Sequence, residues 1–154
     1  MKDRRQEFRK GLSNLYLPLY DALCAELPEE WQPYCGLRTF QQQEILFAQG
    51  RGTDTRPLLT HARAGESPHN YGCASDWTIF TEHGVPVWMK HSDKRWETYG
   101  QACDKLGLVW GGGFKAVDCP HNELALSVRW KTVKPVYDAG GMDAAVGYIK
   151  KSRR

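Results

Sequence analysis

No stretch of this 154-residue chain approaches the roughly 18 consecutive apolar residues that a membrane crossing needs, so a transmembrane span is not expected. The N-terminal MKDRRQEFRKG is charged but leads into no apolar h-region, so no secretory leader is expected and synthesis in the cytoplasm follows. Cysteine is sparse: Cys24, Cys35, Cys73, Cys103 and Cys119 are an odd set at long spacings, without a Cys-x-x-Cys. That argues against a disulfide framework and against a Cys-rich zinc finger. Free thiols, mostly small buried apolar groups, are the expectation. No internal repeat or low-complexity segment occurs, and Gly111 to Gly113 is too short and isolated to cradle a phosphate.

What is present is an ordinary globular composition, 41% hydrophobic and 25% charged, which excludes a disordered or fibrous chain. The length suits one domain, residues 1–154, with an N-terminal helical segment over 1–30 and a C-terminal helix and basic tail over 138–154. The net charge of +3 is unevenly spread. Residues 1–10 carry five basic and two acidic groups, and residues 150–154 carry four basic groups, which leaves −4 on the rest. Such ends read first as solvated termini, and second as tethers to anionic envelope polymers. A nucleic-acid partner is not expected, and a monomer is.

Residues 4–27 carry Phe8, Leu12, Leu15, Leu19, Leu23 and Leu27 at helical spacing, with Pro18 expected to kink or split them. Pro28 and Pro33 mark a connection to a short extended segment, Tyr34 to Arg38. Thr39 with Gln42 predicts a capping box opening a helix through Gln49, ended by Gly50. Residues 50–72 form a long loop, a feature often tied to function. CASDWTIF (73–80) and VPVWM (85–89) predict a hairpin about His83-Gly84, and residues 93–106 a helix. LVW (108–110) and the alternation Leu124, Leu126, Val128, Trp130 predict further strands, and Met142, Ala145, Val146 and Ile149 a terminal helix. The class is α+β: a small, mainly antiparallel sheet with flanking helices. Trp77, Trp88 and Trp96 are expected in the core, and Trp110, beside flexible glycines, at a cleft rim.

The polar residues that stand out are His69, Asp76, Asp118 and His121. Imidazole and carboxylate suit zinc, and three protein ligands leave the open position that catalysis requires. Gly72 permits a bend between His69 and Asp76. A carboxylate in the apolar, aromatic strand around Asp76 must be paired or bind a metal. His121 is a candidate third ligand. Pro120 favours a turn that brings Asp118 and His121 to one site, leaving Asp118 as a base for water. His61, His83 and His91 read as structural or exposed. Arg38, by residue type alone, reads as a surface ion-pair partner, and Cys119 beside His121 as an alternative thiol nucleophile.

SPHNYGCASD (67–76) fits the pattern Ser-x-His-x-x-Gly-x-Ala-x-Asp, and DCPH (118–121) fits a later Asp/Glu-x-x-His. Together they resemble the zinc peptidoglycan peptidases: D-Ala-D-Ala carboxypeptidases, vancomycin-resistance dipeptidases and phage L-alanyl-D-glutamate endopeptidases. GLRTFQQQEILFAQGR (36–51) is similar to the Arg-bearing segment of the phage endolysin branch, and VWGGGF (109–114) to the family's Trp-Gly-Gly turn. The resemblance covers residues 34–126. It implies a zinc site at the sheet face with His69, Asp76 and His121 as ligands, and Asp118 as general base and then acid. It also implies Arg38 beside the substrate carbonyl and Ser67 placing substrate. The implied function is cleavage of the L-Ala–D-Glu bond of the peptidoglycan stem peptide by a phage endolysin, which waits in the host cytoplasm until lysis and then acts on the wall. A D,D- or L,D-carboxypeptidase and a non-catalytic zinc- or peptidoglycan-binding module are the alternatives. Gly113 and Phe114 depart from the Asp and aromatic that often follow Trp-Gly-Gly, and Asn122 stands where an aromatic often follows the metal His.

Overall fold

The computed structural model describes residues 3–154, so Lys2 of the basic N-terminus lies outside the described residues. In chain order the elements are helices α1 (Arg4–Arg9) and α2 (Leu17–Glu26), strand β1 (Trp31–Cys35), helix α3 (Phe40–Ala48), strands β2 (Ala74–Phe80) and β3 (Pro86–Val87), helix α4 (Arg95–Lys105), strands β4 (Leu108–Trp110) and β5 (His121–Leu124), and helix α5 (Val133–Lys151). They fall into two compact units. One is the chain up to Leu37 with Gly72–Ala125, and the other is Arg38–Tyr71 with Leu126–Arg154.

The first unit holds the five-stranded antiparallel sheet, in the order β1-β2-β5-β4 with β3 also paired to β2. The α+β class with a small antiparallel sheet and flanking helices is therefore as expected. Residues 4–27 are split into two helices, but not at Pro18. Pro18 lies in the first turn of α2, where a missing N–H costs nothing. The break falls earlier, where the Ser13 N–H donates to the Gly72 carbonyl at 2.9 Å. Gly72 has φ +63°, and a Cβ there would stand 2.7 Å from the Gly11 oxygen, so this crossing requires glycine.

β1 begins before the expected segment and contains Pro33. As an edge strand it tolerates a residue without an N–H, and its register slips between Pro33 and Cys35, setting Cys35 opposite Asp76. The hairpin forms, but β3 keeps only two paired residues. Trp77 and Trp96 are buried, whereas Trp88 is 69% exposed. It follows the short β3 and packs edge-on against Tyr34 outside the core. The last strand starts at His121 and ends at Leu124, so the expected alternation through Trp130 does not continue it. Leu126 makes one bridge to Arg153, and Trp130 lies in a 3-10 turn.

The second unit packs α3 and α5 through Phe40, Tyr71, Trp130 and Tyr137, with Phe40 and Tyr137 ring centres 4.8 Å apart. The Thr39–Gln42 capping box is present in both directions. The loop after α3 is pinned by Arg51, whose guanidinium lies 3.7 Å over the Phe47 ring and donates to the Thr60 carbonyl. α5 starts at Val133, earlier than expected, and is interrupted at Gly141 (φ 72°). The predicted terminal helix is its second half. No helix among the described residues is long and apolar enough to cross a membrane.

Candidate metal centre

Strand alternation decides which side chains share a face. In the register of β2 with β5, Asp76 stands opposite His121 and Ser75 opposite Asn122. Asp76, His121 and Glu123 therefore occupy one face, and Ser75, Trp77 and Asn122 the other.

On the first face, His121 Nδ1 lies 3.1 Å from Asp76 Oδ1, and Nε2 lies 2.8 Å from Glu123 Oε2. All three side chains are largely buried, with exposures of 9%, 12% and 16% for His121, Asp76 and Glu123. A neutral imidazole has one N–H and satisfies one carboxylate only. The second contact calls for another cation, a proton or a metal ion, between ring and carboxylate. Two ligands about 2.0–2.2 Å from a tetrahedral zinc ion would sit roughly 3.3 Å apart, close to the separation between Asp76 and His121. The donor set, a buried carboxylate and an imidazole, thus fits a metal. The Cys35 Sγ lies within 4.8 Å of an Asp76 carboxylate oxygen, brought there by the β1 bulge.

Backbone geometry delivers His121. Cys119 and Pro120 form the expected turn, closed by the His121 N–H donating to the Asp118 carbonyl at 3.1 Å. The Asp118 N–H donates to Gly111 O at 2.9 Å. A Cβ on Gly111 would meet the Asp118 oxygen at 2.3 Å, so this glycine is a steric requirement. The Asp118 residue is exposed, which leaves it open to water. Trp110 is half-buried, with its indole N–H on the Cys119 carbonyl at 2.8 Å, so it braces the turn. Phe114 stands beside the His121 ring, centre to centre 5.8 Å. Burial and then the Asp118 charge push the Cys119 thiol up from its ordinary range, which disfavours a thiolate nucleophile.

The opposite face is polar too, but it closes on itself. Ser75 Oγ contacts Tyr16 Oη at 2.7 Å, Tyr16 Oη donates to Asn122 Oδ1, Asn122 Nδ2 donates to Tyr99 Oη at 2.6 Å, and Tyr99 Oη donates to the Pro120 carbonyl at 2.9 Å. The Trp77 indole N–H donates to Ser75 Oγ. Burial pushes both phenols well above their ordinary range, keeping them as O–H donors. The amide of Asn122 is what this network needs, which explains the absence of an aromatic at that position.

In the second unit, His69 is buried in a 3-10 turn, Pro68–Tyr71, and its carbonyl accepts from the Arg38 N–H at 3.0 Å. Asn70 fastens the same two segments, with Nδ2 on the Arg38 carbonyl at 2.9 Å and Oδ1 on the Gly65 N–H. Ser67 is buried in this corner. The Arg38 guanidinium donates to Gln43 Oε1 at 2.9 Å, and Gln43, fully buried, donates to the Ala62 carbonyl at 2.8 Å. Arg38 is therefore aimed by a buried amide.

The sequence reading missed Gln43, Asn70, Cys35 and Glu123. Gln43 is one of three consecutive glutamines, of which the capping-box pattern singles out Gln42 and nothing singles out Gln43. Glu123 is two residues beyond His121, and that spacing becomes informative only once the strand is known to begin at His121.

A family model described as D-alanyl-D-alanine carboxypeptidase matches residues 60–124, a stretch containing His69, Asp76, Asp118 and His121. The peptidoglycan L-alanyl-D-glutamate endopeptidase CwlK of Bacillus subtilis (strain 168) is 36% identical over 96 residues, which are 58% of this chain and 57% of that protein. The chain thus spans little more than half the length of this relative. The crystal structure of the Serratia marcescens L-Ala D-Glu endopeptidase ChiX matches with a TM-score of 0.53 at 24% identity, over 81% of this chain and 89% of that one. The resemblance carried by the two motifs is borne out in sequence over residues 60–124, and the likeness to ChiX is one of fold.

Proposed function

We propose that this chain is a zinc-dependent peptidoglycan peptidase that hydrolyses the L-Ala–D-Glu bond of the stem peptide, with His69, Asp76 and His121 as metal ligands. The observation that carries the reading is the buried Asp76–His121 pair, 45 residues apart in sequence and 3.1 Å apart on neighbouring strands. Zinc, when bound, supplies Lewis acidity to the scissile carbonyl and to the attacking water. Asp118, on the exposed corner of its turn, takes the proton from water and returns it to the leaving amine. Arg38, held by Gln43, steadies the oxyanion that grows at the carbonyl. Ser67 and Trp110 help place the peptide. The similarity of residues 36–51 to phage endolysins supports a role in host lysis, in which the protein waits in the host cytoplasm and then acts on the wall. Its basic termini favour anionic envelope polymers.

Digestion of purified sacculi, with mass analysis of the released ends, tests this. The expected products carry new L-Ala carboxyl groups, and chelation abolishes their release. Free muramic-acid reducing ends without such carboxyls overturn the peptidase reading. Asp118→Asn is expected to keep zinc and lose roughly 10²–10⁴-fold in kcat. A second reading, carboxypeptidase action, is favoured by the description of the matching family model. Release of D-Ala from free D-Ala-D-Ala, with intact sacculi uncut, would select it.

A further inference from the structure

We infer that Glu123 is a positioning residue for His121: its carboxylate accepts a hydrogen bond from the Nε2–H and so turns the bare Nδ1 toward Asp76 and the metal. The inference rests on the metal role proposed for His121 and adds a residue outside both motifs. The two residues sit two apart on β5, so both side chains rise from the same face of the sheet. Glu123 Oε2 is 2.8 Å from Nε2, shorter than the 3.1 Å between Nδ1 and Asp76 Oδ1. At 16% exposure, the Glu123 side chain is shielded enough for water to compete poorly for that N–H. An imidazole donating from one nitrogen to a carboxylate has its tautomer and ring plane fixed, and the other nitrogen becomes the more basic ligand. The strand holds Glu123 itself in place, since β5 is paired on both sides, Glu123 standing opposite Ala74 of β2 and Val109 of β4. A ring flip that offered Nε2 to the metal would give up the 2.8 Å contact with Glu123 Oε2.

Two readouts other than turnover test this. In the metal-free protein at alkaline pH, nitrogen-15 NMR of His121 is expected to show Nε2 carrying a slowly exchanging proton. Glu123→Gln keeps an acceptor oxygen and should retain that signal, whereas Glu123→Ala should lose it. Zinc affinity by chelator competition is expected to fall about 10–100-fold in Glu123→Ala and to stay within a few-fold of wild type in Glu123→Gln. Glu123→Met, of similar length but without an acceptor, replaces the alanine variant if that one does not fold. A wild-type His121 without a proton on Nε2, or an alanine or methionine variant with unchanged signal and zinc affinity, overturns the inference. A wild type that shows the Nε2 proton but binds no zinc sinks the proposed metal chemistry while leaving the Glu123 contact standing.

Discussion

The two faces of the β2–β5 pair bury comparable numbers of polar side chains and treat them in opposite ways. On the face of Ser75 and Asn122, the groups are uncharged and hand hydrogen bonds from Ser75 through Tyr16, Asn122 and Tyr99 to the Pro120 carbonyl. On the face of Asp76, His121 and Glu123, two carboxylates flank one imidazole. No buried side-chain nitrogen or oxygen among the described residues lacks a partner, so unmet hydrogen bonding does not separate the faces. Charge does. A neutral ladder completes itself within the fold, whereas an anion-rich cluster around a histidine completes itself with a cation. The first face closes within the fold, and the second, on the same strands, is the one proposed to hold a metal ion.

Substitutions on each face should therefore fail differently. The largest effect is expected from Asp76→Asn, which keeps the shape and removes the charge. It should abolish stoichiometric zinc by metal analysis and reduce peptide release to background while the thermal melt stays close to wild type. Retained zinc with retained turnover would break the comparison. Next is Asn122→Leu, which removes an acceptor from the Tyr16 hydroxyl and a donor from the Tyr99 hydroxyl. It should cost about 2–4 kcal/mol in a denaturant titration, with zinc stoichiometry and kcat of the folded fraction preserved. Loss of zinc without loss of stability would show that the two faces are not separate in function. The smallest effect is expected from Gly111→Ala, whose new Cβ presses on the Asp118 carbonyl. Displacing the turn should lower kcat about 10-fold, with stability lowered by roughly 1–3 kcal/mol. Unchanged kinetics would mean that the turn does not position the base.

The capping box at Thr39, the hairpin glycine Gly84 and the stop of α4 at Gly107 were legible in the sequence because each depends on neighbours in the chain. The turn at Cys119–Pro120 was legible for the same reason. A split in residues 4–27 was legible, but its place was not, because it is set by the Gly72 contact from a distant segment and not by Pro18. The end of β5 at Leu124 was misread because apolar alternation continues past the last paired residue. Of the candidate site, residue types and their order were readable. The neighbours that aim them, Gln43 on Arg38 and Glu123 on His121, were not, since each depends on a face or a fold-back.

By itself the sequence determined which donors were available: two histidines and an aspartate in motif order, and an acidic residue one turn before the second histidine. Those are properties of composition and short-range spacing, and they survive any arrangement of the chain. The tertiary structure alone decided that Asp76 and His121 meet across a strand pair, that Cys35 comes opposite Asp76 through a bulge, and that Glu123 rather than Asn122 faces the imidazole. The physical reason is register. A shift of one residue in a strand moves every side chain to the other face, and register is set by long-range pairing that no local pattern records.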